Sequence, residues 1–140
     1  MGLRATDLTV GQQFETVVVD DLKRTQIVQY AGASGDFNPL HSDEVYAREI
    51  AGYPGVFAHG MLTMGMTARA LTDLLGDGRL LRFGVRFTAQ VWPGDTLTVR
   101  TTVDGVSDED GVPVVELSVV TTNQDGTDVV SGYAAARLDA

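Results

Sequence analysis

Gly60 to Leu75 reads Gly-Met-Leu-Thr-Met-Gly-Met-Thr-Ala-Arg-Ala-Leu-Thr-Asp-Leu-Leu, with Arg69 and Asp73 as its only charges. Read at a helical period, apolar or small residues fall on every side. A helix without a continuous polar face must be covered by the rest of the chain, so this one is expected to be mostly buried. Its three methionines read as adaptable core filler rather than a cofactor site. Gly76-Asp77-Gly78 supplies the glycine stop that a helix C-terminus favours.

Beyond that stop the chain is patterned as strand. Phe83, Val85, Phe87, Ala89 and Val91 alternate with Gly84, Arg86, Thr88 and Gln90. Residues 96–106, 112–122 and 129–138 are rich in β-branched side chains, and Asp108-Glu109-Asp110-Gly111 and Asn123-Gln124-Asp125-Gly126 have hairpin-turn composition. A buried helix followed by four antiparallel strands is an α+β layout with the helix laid on one sheet. Upstream, residues 1–12 form an irregular lead-in, and residues 14–19, with Val17-Val18-Val19, form a strand. Asp20-Asp21 precede a short helix over residues 22–30. A second short helix covers residues 43–48, with Ser42 as its N-cap, and residues 52–55 break the chain again.

The length of 140 residues gives one domain, 1–140, large enough to bury roughly two-thirds of its unfolded surface. Apolar residues make up 44% of it. No apolar run approaches bilayer length, and no leader pattern precedes the domain, so a cytoplasmic location is expected. The Met1-Gly2-Leu3-Arg4-Ala5-Thr6 start fits a short myristoylation pattern, discounted here because nothing else points to a membrane. The absence of cysteine excludes disulfides, metal-thiolate sites and cysteine nucleophiles. A net charge of −9 speaks against a nucleic-acid partner and against anionic membrane surfaces.

Chemistry concentrates in residues 30–43, Tyr-Ala-Gly-Ala-Ser-Gly-Asp-Phe-Asn-Pro-Leu-His-Ser-Asp. Glycine and proline predict a constrained, irregular loop carrying a carboxylate, Asp36, and an imidazole, His41. Such a pair in reach of one substrate can move protons both ways near neutral pH. Asp and Asn also serve as turn and cap residues, and spacing alone does not choose between the two readings. The whole string Ser34-Gly35-Asp36-Phe37-Asn38-Pro39-Leu40-His41-Ser42-Asp43 does more. It resembles the hydratase motif of the MaoC-like, (R)-specific enoyl-thioester hydratase/dehydratase family. Ala58-His59-Gly60-Met61-Leu62-Thr63-Met64-Gly65 and Val85-Arg86-Phe87-Thr88-Ala89 with the Pro93-Gly94-Asp95 turn match at sensible distances. Within that family the chain looks most like the catalytic B subunits of actinobacterial (3R)-hydroxyacyl-ACP dehydratases.

The resemblance implies a hot-dog fold, an antiparallel sheet wrapped around a long central helix. It implies (R)-specific dehydration of 3-hydroxyacyl thioesters, or the reverse hydration, without a cofactor. Asp36 and His41 would be the acid/base pair. Gly60, at the start of the central helix, would offer its backbone N–H to the thioester oxygen. Ser34, Asn38 and His59 are expected around loop and substrate, His59 chiefly bonding near the helix start. Two histidines 18 residues apart make a poor metal site, and none is expected. Arg79, Arg82 and Arg86 are candidates for a basic patch meeting an acyl-CoA or acyl-ACP carrier. Hot-dog chains usually pair, so a homodimer or a heterodimer with a related hot-dog subunit is expected. One competing reading is a hot-dog acyl thioesterase, which typically carries a carboxylate on the central helix; here no acid precedes Asp73. Another is a non-catalytic acyl-binding subunit, but such chains usually lack the Asp/His pair. A serine hydrolase fails, since Gly32-Ala33-Ser34-Gly35-Asp36 does not complete a nucleophile elbow.

Overall fold

The computed structural model describes residues 2–140; Met1, which begins the myristoylation pattern, lies outside the described residues. Five strands, β1 (Gln13–Val19), β2 (Leu80–Phe87), β3 (Leu97–Glu109), β4 (Val112–Thr122) and β5 (Asp128–Arg137), form one antiparallel sheet in the order β1-β3-β4-β5-β2. Helix α1 (Arg24–Ser34) follows β1, and α2 (Gly60–Leu75) lies against the sheet. The β3–β4 hairpin closes through Asp110 and Gly111, at φ 55° and 83°, the two left-handed residues that a turn matched to strand twist requires. Of the strands after α2, β2 alone leaves the hairpin succession to take an edge beside β5.

The core forms where α2 meets the sheet. Thr63, Thr67, Ala70, Leu71 and Leu75 point inward, against fully buried residues such as Val99, Leu117, Val119 and Val129. One polar bridge crosses this interface. The Thr67 hydroxyl donates to the Thr63 carbonyl at 2.9 Å, so at the 2.7 Å contact between Thr67 Oγ1 and Thr121 Oγ1 the proton comes from Thr121. The buried hydroxyls on α2 and β4 are thereby satisfied, as burial demands.

Several local expectations change. α2 is buried on one face only: Gly60, Met61, Gly65, Arg69 and Asp73 are exposed in the single chain. The first helix begins at Arg24 rather than Leu22, with the Gln26 side chain accepting from the Lys23 N–H at 2.9 Å, and it runs on to Ser34. Residues 30–34 are therefore helical, and the loop proper starts at Gly35. The second short helix includes a π-helical turn, Tyr46–Ile50, and its cap is Asp43, whose carboxylate accepts from the Tyr46 N–H at 3.1 Å; Ser42 does not fill that role. β2 stops at Phe87, where its register with β5 ends at Val130; Thr88 leaves that register, donating its hydroxyl to Asp128 O at 2.7 Å and its N–H to Val129 O at 3.0 Å, on the first two residues of β5.

Candidate active site

Local bonding makes the loop after α1 rigid. Gly35 ends α1 in the left-handed conformation, φ 75°, its N–H on the Ala31 carbonyl at 3.0 Å. Three polar side chains then each accept from the backbone N–H two residues ahead. Ser34 Oγ takes the Asp36 N–H at 3.1 Å, Asp36 Oδ1 the Asn38 N–H at 3.2 Å, and Asn38 Oδ1 the Leu40 N–H at 3.0 Å. A 3-10 turn, Pro39–His41, comes next, with Pro39 pre-set in its first position. Ser34 and Asn38 thus spend a side-chain oxygen on shaping the loop that carries Asp36 and His41.

His41 is fixed through Phe57. Its Nδ1 lies 2.6 Å from the Phe57 carbonyl, which can only accept. Nδ1 therefore carries the proton, and the lone pair of Nε2 is left for chemistry. The Phe57 N–H reaches back to the Leu40 carbonyl at 3.3 Å, binding the two segments together. The His41 ring stacks on His59, centroids 3.8 Å apart and planes 27° from parallel. His59 is 1% exposed and sends Nε2–H to the Asp36 carbonyl at 2.9 Å, while the edge of Tyr30 approaches it at 4.8 Å.

One side-chain polar atom from each of Asp36, His41 and His59 lies within 4.8 Å of the other two. A carboxylate and an imidazole at that separation can share one water, each at an ordinary bonding distance of about 2.8 Å. An 18-residue spacing between the histidines gave no sign that both would converge on the carboxylate. The cluster is poorly shaped for a metal, because imidazole lone pairs lie in the ring planes. Planes tilted by only 27° meet well beyond a metal–nitrogen bond of about 2.0–2.1 Å.

The peptide after His59 supplies the third element. Gly60 is the first residue of α2, so its N–H has no partner within the helix, whose first bonds run from Leu62 and Thr63 to the His59 carbonyl. A Cβ at Gly60 would stand 3.2 Å from the Phe87 ring, so glycine keeps this approach open. A cleft of about 300 Å³ starts here, lined among others by Phe57, Gly60, Thr63, Phe87 and Val130. Asp36 and His41 are not among its walls. Phe57 and the His59–Gly60 step connect the two: the Phe57 carbonyl holds His41 while Phe57 lines the cleft, and His59, stacked on His41, directly precedes the cleft residue Gly60. Phe57 and Phe87 carry no motif of their own; the one sequence cue for Phe57 is its place just before Ala58-His59-Gly60.

Two of the arginines, Arg79 and Arg82, have acidic partners within the chain. Arg82 donates to Glu109 and Glu116, both at 2.9 Å, and these carboxylates raise its pKa above the ordinary value. Arg79 pairs with Asp139. Arg82 stands five residues along β2 from Phe87, about 17 Å at about 3.4 Å per strand residue. The structure does not bring Arg79 or Arg82 to the Asp36–His41 loop, and their charges are matched by acids of the chain itself.

The model of the MaoC like domain matches residues 5–125 of this chain. The chain belongs to that family. Enoyl-CoA hydratase ChsH3 of Mycobacterium tuberculosis is 40% identical over 101 residues, covering 70% of this chain and 32% of that protein. The 3-hydroxyacyl-thioester dehydratase Y of the same organism is 46% identical over 68 residues, 46% of this chain and 23% of that protein. The chain therefore spans about a third or less of the length of these two relatives. Among solved structures, the unliganded R-hydratase PhaJ1 from Pseudomonas aeruginosa superimposes with a TM-score of 0.84 at 30% identity, covering 98% of this chain and 86% of that one. The MaoC-like fold is α+β and of the hot-dog type, as the resemblance implied.

Proposed function

We propose that this chain is a hydro-lyase that adds water to trans-2-enoyl thioesters, or removes it from (3R)-hydroxyacyl thioesters, in fatty-acid metabolism. The observation that carries the reading is the approach of the Asp36 carboxylate and the His41 imidazole to within 4.8 Å, in a cluster with His59, the residue before the first N–H of α2, which has no partner within the helix. Hydration has three requirements. A water held between Asp36 and His41 gives a proton to the pair as its oxygen attacks C3. The electron pair displaced from the C2–C3 double bond moves to the thioester oxygen, where the Gly60 N–H and the positive end of α2 face the developing charge. The pair then returns one proton to C2, so water is added with no net proton gained or lost. Dehydration is the same path reversed.

A thioesterase reading fits less well. The only acid on α2, Asp73, is thirteen residues from Gly60, about 20 Å at about 1.5 Å per helical residue.

The test is an assay of the purified chain on trans-2-enoyl thioesters of several lengths, on CoA and on acyl-carrier protein, with chiral analysis of the product. Asp36→Asn and His41→Gln should each lose at least roughly a hundredfold in kcat. The double variant should lose little more than the worse single one, because residues acting on one water are not additive. Near-normal kcat in either single variant, on a substrate the wild type turns over well, sinks the assignment.

A further inference from the structure

We propose that His59 is a positioning residue: one buried imidazole that clamps the backbone of Asp36 through Nε2–H while its ring face forms the platform on which His41 stacks. The proposal rests on the reaction assigned above to Asp36 and His41.

His59 is costly to the fold. The residue is 1% exposed, and its Nδ1 is buried without a hydrogen-bond partner among the described residues. Because Nε2 faces a carbonyl, Nε2 must carry the ring proton, which leaves Nδ1 as a buried acceptor with no donor. An apolar ring of similar size would fill the same space without that penalty. Its two contacts are what an apolar side chain cannot reproduce together. Nε2–H holds the carbonyl of Asp36, 23 positions earlier in the chain, at 2.9 Å. The ring lies 3.8 Å from His41, and the Tyr30 ring meets it at 63° with centroids 4.8 Å apart. His41 is thereby fixed by its Nδ1–H on Phe57 and by the ring against its face.

His59 also immediately precedes Gly60, and its carbonyl accepts the first bonds of α2 from Leu62 at 3.1 Å and Thr63 at 3.4 Å. One residue therefore ties the carboxylate loop, the imidazole and the helix N-terminus into one frame. Misplacement of such groups by about 1 Å can cost on the order of a hundredfold in rate.

Two variants separate the two contacts. His59→Phe keeps a ring under His41 and loses the donor to Asp36; His59→Gln keeps a donor near the Nε2 position and loses the ring. The measurements on each are kcat and KM, thermal midpoint, and amide hydrogen exchange of Asn38 and Leu40. Both should lose kcat by about ten- to a hundredfold, with KM little changed and the midpoint near wild type. The loop amides should exchange about tenfold faster in His59→Phe and near the wild-type rate in His59→Gln, where the clamp survives. Wild-type kcat in both variants overturns the proposal, as does a raised KM at unchanged kcat. So does a lowered midpoint with normal turnover per folded molecule, the pattern of a purely structural histidine. If His59→Phe does not fold, the kcat of His59→Gln decides alone. If the wild type itself turns over no enoyl thioester, the assigned reaction fails, while the exchange rates still decide whether His59 clamps the loop.

Discussion

Gly60 shows how one missing side chain can carry function. The Phe87 ring lies where a Cβ would reach 3.2 Å, tight enough that the ring must give by a few tenths of an ångström. Phe87 is half exposed, so it can move, and a Gly60→Ala protein should fold with a midpoint near wild type. The methyl group would nevertheless stand in the approach to the helix N-terminus and crowd an incoming thioester carbonyl. Removing one donor to a developing oxyanion typically costs a hundredfold or more, and a carbonyl held off its donor should lose kcat on that order. Unchanged kinetics in the folded variant would move the oxyanion site to another backbone N–H, with that of Met61 the next along the helix.

At the scale of elements, the active loop depends on a strap that sequence did not reveal. Glu44 receives Arg24 of α1 at 2.7 Å and Arg48 at 2.9 Å, and Arg48 Nε donates to the Pro54 carbonyl at 2.8 Å. The Arg24 hydrogen bond, opposed by desolvation, holds the Glu44 carboxyl below the usual carboxylate range, with the charges of Arg24 and Arg48 adding to the effect. A carboxyl depressed in the folded state contributes stability above its unfolded pKa and loses it as pH falls through the folded one. The thermal midpoint of the wild type should therefore fall more steeply on acidification below about pH 5 than that of Glu44→Gln, and be the higher of the two at neutral pH. Parallel pH curves would remove Glu44 from the account. Glu44 and Arg48 stand at the ordinary i,i+4 helical spacing, but a pair as distant in sequence as Arg24 and Glu44 leaves no periodic trace, and that sets what was legible. The strands, the Asp110-Gly111 hairpin and the span of α2 followed from patterning. Ser42 as a cap failed because Asp43, one place on, offers a carboxylate to the Tyr46 N–H. The extension of α1 to Ser34 was hidden by Gly32, which counts against a helix on propensity but not once Ile27 and Ala31 are packed on the core side. The alternation through residues 88–91 continued past the true end of β2, since alternation cannot register that Thr88 bonds across to Asp128. Asp36, His41 and Gly60 were named from their motifs; the stacking of His41 on His59 came only with the fold.

For the whole molecule, the single chain leaves surfaces that ask for a cover. β2 is an edge strand, and the apolar side chains Leu81 and Phe87 on it are 41% and 50% exposed. On α2, Met61 is 55% exposed and Gly65 lies on the same uncovered face. The other edge, β1, exposes Val17 at 58% but also sets Gln13 and Glu15 against solvent, with Glu15 near Arg100 at 3.7 Å. An open edge flanked by apolar side chains is a liability that a second chain removes by extending the sheet. We therefore expect a dimer joined through β2, with the exposed face of α2 inside the contact, either of two copies or with a related hot-dog chain. Light scattering should give twice the 14.9 kDa of one chain for a homodimer. Leu81→Lys, which sets a charge on that edge without touching Asp36, His41 or Gly60, should shift the mass toward one chain and lower activity with it. A heterodimer predicts instead a weakly associating chain that becomes stable and fully active only with its partner. A monodisperse, fully active monomer at micromolar concentration refutes both forms. The β2 edge and the open side of α2 would then be ordinary solvent-facing surface, and the site would be complete within one chain.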